Sequence, residues 1–205
     1  EGLVTDYLGL TVVYENIAED DPNKIAFLSN GKRPLWVSRD GERIQVVFPK
    51  GTVVMDKVLL HENESSRRRF TLGHEGAHSV IAKQNPMQDV GCFHNEFDPE
   101  RVYTIKEQKE LMSFSETQAD RLSSVFLMPQ FILRKVMKKY KCENGLPVYG
   151  WNVFAPEDKL KLRKMADCMG VSFQALVIRL KTLGLLMPRD LTVYLENDLQ
   201  LGGAK

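Results

Sequence analysis

The stretch Arg67-Arg68-Arg69-Phe70-Thr71-Leu72-Gly73-His74-Glu75-Gly76-Ala77-His78-Ser79-Val80-Ile81 limits the fold more than any other part of the chain, because it contains H-E-x-x-H. On a helix, His74 and His78 lie one turn apart on one face. Two imidazoles so placed can bind one Zn2+ ion at ordinary Zn–N lengths. Glu75 then points beside the ion, where it can take a proton from a water that the ion activates. Ser65 or Ser66 is expected to cap this helix, and Phe70, Leu72, Ala77, Val80 and Ile81 to supply its apolar surface. Asn85-Pro86 should end it. Two features resist. The three arginines sit where the helix dipole prefers anions. Gly73 and Gly76 each cost about 1 kcal/mol relative to alanine; they make sense if another backbone comes close. Taken alone, the pentapeptide also fits a chance occurrence on an amphipathic helix.

A second stretch, Ser115-Glu116-Thr117-Gln118-Ala119-Asp120, separates these readings. Two histidines leave a catalytic zinc one protein ligand short. Glu116 can be that third ligand. Asp120, one turn on, shares its helix face and can accept the other ring N–H of a ligating histidine, fixing its tautomer.

Together, R-R-R-F-T-L-G-H-E-G-A-H and E-T-Q-A-D-R-L-S-S-V-F-L-M-P resemble the ImmA/IrrE family of zinc metallopeptidases. That family's pattern is R-R-F-T-x-x-H-E-x-x-H, then E-x-x-A-(N/D)-x-F-A-x-x-L-L-M-P. The Arg–Phe–Thr lead-in and the closing Leu127-Met128-Pro129 carry most of the specificity. The resemblance runs over roughly residues 8 to 185. Gly76-Ala77 stands where Leu-Gly is usual, Leu122-Ser123 where Phe-Ala is usual, and the stretch between the motifs is longer. None of these removes a ligand or the base. The resemblance implies a narrow protein substrate, a helix-turn-helix repressor whose cleavage turns genes on.

The rest of the chain fits this frame. Its 205 residues are 43% hydrophobic and 27% charged, with a net charge of +1, the balance of a globular protein with no electrostatic argument for nucleic acid. No apolar run is long enough to span a membrane and no signal peptide opens the chain. Cys92, Cys142 and Cys168, odd in number and scattered, suit a reducing compartment. A cytoplasmic protein is expected. The chain begins at Glu1 without a methionine, so an upstream part is expected.

Residues 1 to 60 read as short strands: Leu10–Tyr14, Ile25–Leu28, Pro34–Val37, Arg43–Phe48 and Thr52–Met55. Asn30-Gly31 and Asp40-Gly41 are hairpin signals between them. A small, mainly antiparallel sheet packed on the zinc helix would be the gluzincin arrangement. His61 reads as a surface or capping residue. Residues 85 to 112 read as a loop or flap, with a short strand near Arg101–Ile105. Cys92 and His94 read there as a buried thiol and a surface imidazole; in the sharper alternative they reach the metal, as an inhibitory thiolate or a polariser of the substrate carbonyl. Tyr103 has a comparable claim as an oxyanion donor.

A second site helix is expected from Ser113 to Phe126, with Leu122, Val125 and Phe126 facing the core. A basic helix should follow from Gln130 to Tyr140, its cations on a solvated face or a docking surface. Residues 141 to 156 read as a linker. Two helices then meet at Gly170 and Ser172, in an arrangement like a helix-turn-helix. The second carries only Arg179 and Lys181 as cations, too few for a DNA reader. A tail with a strand at Leu191–Leu195 closes the chain.

The expected fold is α+β: a zincin-like, gluzincin-type domain over residues 1–140, then a helix-turn-helix-like helical subdomain over 141–205. The expected site is Zn2+ on His74, His78 and Glu116, with Glu75 as catalytic base and Asp120 behind a ligand. His94 and Tyr103 are candidate transition-state stabilisers. The competing reading is a non-enzymatic regulator or DNA- or protein-binding module that acts through the helix-turn-helix.

Overall fold

A computed structural model of the chain describes residues 1–84, 92–95, 104–106 and 114–195; for 92–95, 114 and 115 it describes the backbone alone. The chain divides into two compact units, Glu1–Leu127 and Met128–Lys205. The sequence boundary at 140 lies further along, and the helix Gln130–Lys139 falls within the second unit.

The first unit is α+β. Among the described residues its strands are β1 (Thr11–Ile17), β2 (Lys24–Leu28), β3 (Leu35–Arg39), β4 (Glu42–Val46), β5 (Thr52–Asp56) and β6 (Cys92–Asn95). They form one sheet in the order β4-β3-β1-β5-β2-β6. The β1/β5 pair is parallel and the other neighbours are antiparallel. Asp40-Gly41 makes the tight β3–β4 hairpin that its sequence signals: both residues have positive φ, and Arg39 pairs with Glu42. Asn30-Gly31 does not make a hairpin. Asn30 Oδ1 accepts from the amides of Lys32 and Arg33, turning the chain, but β2 and β3 are not neighbours. The reason lies in β2 itself. Ile25, Ala26 and Phe27 are all buried, so the strand belongs in the sheet interior, and it sits there between β5 and β6.

Among the described residues, two apolar clusters hold this unit together. One joins Ile25, Ala26, Val53, Met55 and Leu59 to Leu72 of helix α1 (Ser65–Gln84). The other joins Phe27, Leu35, Val37, Phe48 and Val54 within the sheet. A register shift between Lys24 and Ala26 lets Ile25 and Ala26 join the same cluster, as a bulge does. Helix α1 grows directly out of a 3-10 turn, Glu62–Glu64, without the expected serine cap. That turn places Glu64 3.3 Å from Arg67, so acid groups stand at the helix entrance and offset the arginines there. His61 is exposed and precedes the turn without a side-chain cap bond.

Helix α2 (Phe114–Leu127) lies against α1. It begins and ends within a residue of its expected place, but Val125 is exposed rather than in the core. The stripe of α2 that touches α1 is instead Glu116, Asp120, Ser123 and Leu127, as the contacts below establish.

The second unit carries α3 (Gln130–Lys139), α4 (Pro156–Met169) and α5 (Phe173–Thr182). Helix α3 is amphipathic, burying Leu133, Val136 and Met137. Gly170 closes α4 in the left-handed conformation, and Ser172 accepts from the Ala175 amide at 3.1 Å to cap α5, both as expected. The stretch read as a linker holds β7 (Leu146–Tyr149), paired in parallel with β8 (Leu186–Arg189). Two four-residue strands that each contain proline give little strand signal. Residues 191–195 are helical, not a strand. Arg179 of α5 is buried and donates to the Met128 carbonyl at 3.2 Å.

Candidate metal centre

The site lies between α1 and α2. Leu72 holds one side of α1 on the sheet, and the side bearing His74 and His78 meets α2. The two Nε2 atoms stand 2.9 Å apart. Glu116 brings Oε2 to 3.2 Å from His74 Nε2 and Oε1 to 3.3 Å from His78 Nε2. All three donors fit within 4.8 Å of one another.

A simple geometric test shows that they suit a metal. Two ligands each about 2.0–2.1 Å from a tetrahedral ion stand roughly 3.3–3.4 Å apart. The separations of 2.9, 3.2 and 3.3 Å are close to that edge, so small shifts would seat an ion. The donor set, two imidazole nitrogens and a carboxylate oxygen, suits a borderline-soft divalent cation. Asp120 Oδ1 lies 2.9 Å from His74 Nδ1. With its proton on Nδ1, toward Asp120, His74 keeps the Nε2 lone pair for the ion.

Burial and charge act together here. Burial works against a charge on His74, but its bonds to Asp120 and Glu116 and the Glu75 charge overcome this, raising its pKa to about 9. Burial also disfavours the Glu116 carboxylate, yet the bonds from His74 and His78 prevail and hold its pKa down to about 2. Glu75 is fully buried, and apart from a weak approach of the Leu28 backbone neither carboxylate oxygen has a hydrogen-bond partner among the described residues. Burial raises its pKa to about 7; the charges of His78 and His74 pull the other way, and the Leu28 backbone contributes least.

The flanking glycines have separate reasons. A β-carbon at Gly73 would meet Ser123 Oγ at 2.8 Å, and one at Gly76 would meet Leu8 and Val4 methyl carbons at 3.2 Å. Side chains, rather than the expected backbone, make these close approaches. Thus His74, His78, Glu116 and Asp120 come together, with Glu75 buried in their field. The His94 backbone pairs with Ala26 in β6, while the side chains of Cys92 and His94 lie outside the described residues, as does Tyr103. Ile105 is helical rather than in a strand. The sequence reading missed Ser123 as a site residue. Its spacing of seven from Glu116, which returns to the same helix face, was the available signal.

Residues 50–181 match the IrrE N-terminal-like domain family, Peptidase_M78. The chain belongs to this family. The match spans α1 through most of α5 and begins just before β5, later than the resemblance read from sequence. Membership makes this M78 chain a peptidase relative with a protein substrate, and the His-His-Glu cluster fits a metal-dependent one. No curated protein matches it. No helix among the described residues is long and apolar enough to cross a membrane.

Proposed function

We propose that this M78 chain is a zincin-like, zinc-dependent endopeptidase of narrow specificity. The observation that carries the proposal is the convergence of His74, His78 and Glu116 beside a fully buried Glu75. In this reading His74, His78 and Glu116 hold Zn2+, and Asp120 orients His74. Bound zinc supplies a Lewis acid and lowers the pKa of a water. Glu75 would take a proton from the attacking water as its oxygen adds to the peptide carbonyl, and would pass it to the amine as the C–N bond breaks. Burial raises the Glu75 pKa, the direction that suits a group which takes a proton and gives it back. The substrate binds extended along the outer edge of β6, the last strand of the sheet among the described residues.

The substrate is a helix-turn-helix repressor in the cytoplasm, cut once to derepress genes of a mobile element, a phage or a stress response. An unrestrained cytosolic peptidase would be harmful, so partner choice must be tight. The second unit is the selecting part, with α4 and α5 arranged like a helix-turn-helix. The rival reading, a binding module without catalysis, draws on that same helix pair. Burial of Arg179 leaves Lys181 as the exposed cation of α5, which argues against DNA as its ligand.

Incubation with the repressor encoded beside this chain, with and without chelator, followed by intact-mass analysis, tests the proposal. A single chelator-sensitive cut, absent in Glu75→Gln, is expected, with casein untouched. Rapid casein degradation would refute narrow specificity. A repressor bound but left intact would establish the binding module instead.

A further inference from the structure

We propose that Ser123 is a positioning residue for the metal centre, fixing where α2 presents Glu116 to the histidines of α1. The inference rests on the ligand assignment above and concerns what holds that geometry in place. Glu116, Asp120, Ser123 and Leu127 are spaced 4, 3 and 4 apart along α2, so they form one stripe. Each meets α1 in turn. Glu116 reaches His78 and His74, and Asp120 reaches His74. Ser123 donates to the Phe70 carbonyl at 3.2 Å, and Leu127 stands against Gly73. From Glu116 to Ser123 the contacts run in opposite directions on the two helices, like rungs.

The Ser123 rung differs in kind from the others. It is a hydroxyl-to-carbonyl bond from a fully buried side chain, so it depends on neither proton nor metal. Apolar contact alone is non-directional and sets no register. A slide of α2 by one residue would carry Glu116 about 1.5 Å along the axis and turn it by roughly 100°. Metal sites tolerate distance errors of about 0.2 Å. Gly73 is the complement of this rung. The hydroxyl occupies the space that a β-carbon there would claim, at 2.8 Å, whereas Ser123 Cβ lies at 3.8 Å, ordinary contact.

The test uses the full chain and reads Zn2+ affinity by chelator competition, with the visible spectrum of the Co2+-substituted protein as a second readout. Ser123→Ala should weaken Zn2+ binding about tenfold, at the lower end for residues that orient ligands, and should shift the Co2+ spectrum. Gly73→Ala should weaken it as well, by driving a methyl into the hydroxyl. Combining the two should remove that clash, so the double variant should bind Zn2+ like Ser123→Ala alone. If Ser123→Ala lowers thermal stability but leaves Zn2+ affinity and the Co2+ spectrum unchanged, the rung is structural and the proposal is overturned. If Ser123→Ala does not fold, the Gly73→Ala pair decides: affinity lost in Gly73→Ala and regained in Gly73→Ala/Ser123→Thr would overturn it, since threonine keeps the clash. Glu116→Ala separates this from the ligand assignment: retention of Zn2+ there would remove the assignment itself, whereas loss there with an unaffected Ser123→Ala removes only the positioning role.

Discussion

Asp120 Oδ1 and His74 Nδ1 are 2.9 Å apart, joining a residue that is 56% exposed to one that is 1% exposed. The bond fixes an almost inaccessible imidazole from the surface. Asp120→Ala should therefore weaken metal binding by about 10–100-fold without abolishing it, while Glu116→Ala and His74→Ala should lose the metal. Metal analysis after dialysis against a weak chelator distinguishes them. If Asp120→Ala loses the metal outright and Glu116→Ala keeps it, the two roles are exchanged.

Glu75→Gln should keep metal and fold, because the side chains are nearly isosteric and Glu75 is not among the converging donors. Peptide cleavage should vanish. Folding raises the Glu75 pKa from 4.5 to about 7 through burial. The fold therefore prefers its protonated form, and this preference is complete below 4.5 and lost as pH rises through 7. The melting temperature of the metal-free protein should fall more steeply between pH 4.5 and 7 than that of metal-free Glu75→Gln. Parallel curves would place Glu75 in a solvated setting.

His74 and Glu116 predict the wider pH dependence of the metal-free protein. Folding raises His74 from 6.5 to about 9 and lowers Glu116 from 4.5 to about 2. The His74 contribution is complete below 6.5 and lost as pH rises through 9. The Glu116 contribution is complete above 4.5 and lost as pH falls through 2. Melting in excess chelator should thus weaken toward both pH 9 and pH 2. Metal binding near pH 7 should release protons, since a ligating His74 must be neutral. Calorimetry in buffers of different ionisation enthalpy reads that release, and its absence would mean that His74 is already neutral.

Thr71 is fully buried and its hydroxyl has no hydrogen-bond partner among the described residues. Thr71→Val exchanges an unsatisfied polar group for a methyl and should be neutral or stabilise by about 1 kcal/mol. The shift in denaturation midpoint measures it. A clear loss of stability would reveal a partner for the hydroxyl.

Where side-chain chemistry acts locally, the sequence was readable. His74, His78, Glu116 and Asp120 meet as their helical spacing implies, and Asp40-Gly41, Gly170 and Ser172 do what their backbone preferences dictate. The readings failed where a partner distant in sequence decides. Asn30-Gly31 turns the chain, but the burial of β2 chooses its neighbours. On α2, the rule that apolar residues face inward misplaced Val125, because the stripe turned toward α1 is the polar one that builds the site. The short β7/β8 pair, with proline in both strands, left no periodic trace.

The burial of the donors is graded, and this bears on how fast the centre can load and empty. His74 and His78 are sealed, Glu116 is partly open, and Asp120 faces solvent. An arriving cation meets the two carboxylates before either imidazole, so capture begins on groups whose charge draws ions inward and should slow as salt rises. If His74 and His78 hold the ion, departure must reverse that route, breaking both imidazole bonds before water can replace them. Slow exchange of the ion follows from the depth of the histidines, whatever the strength of binding at equilibrium.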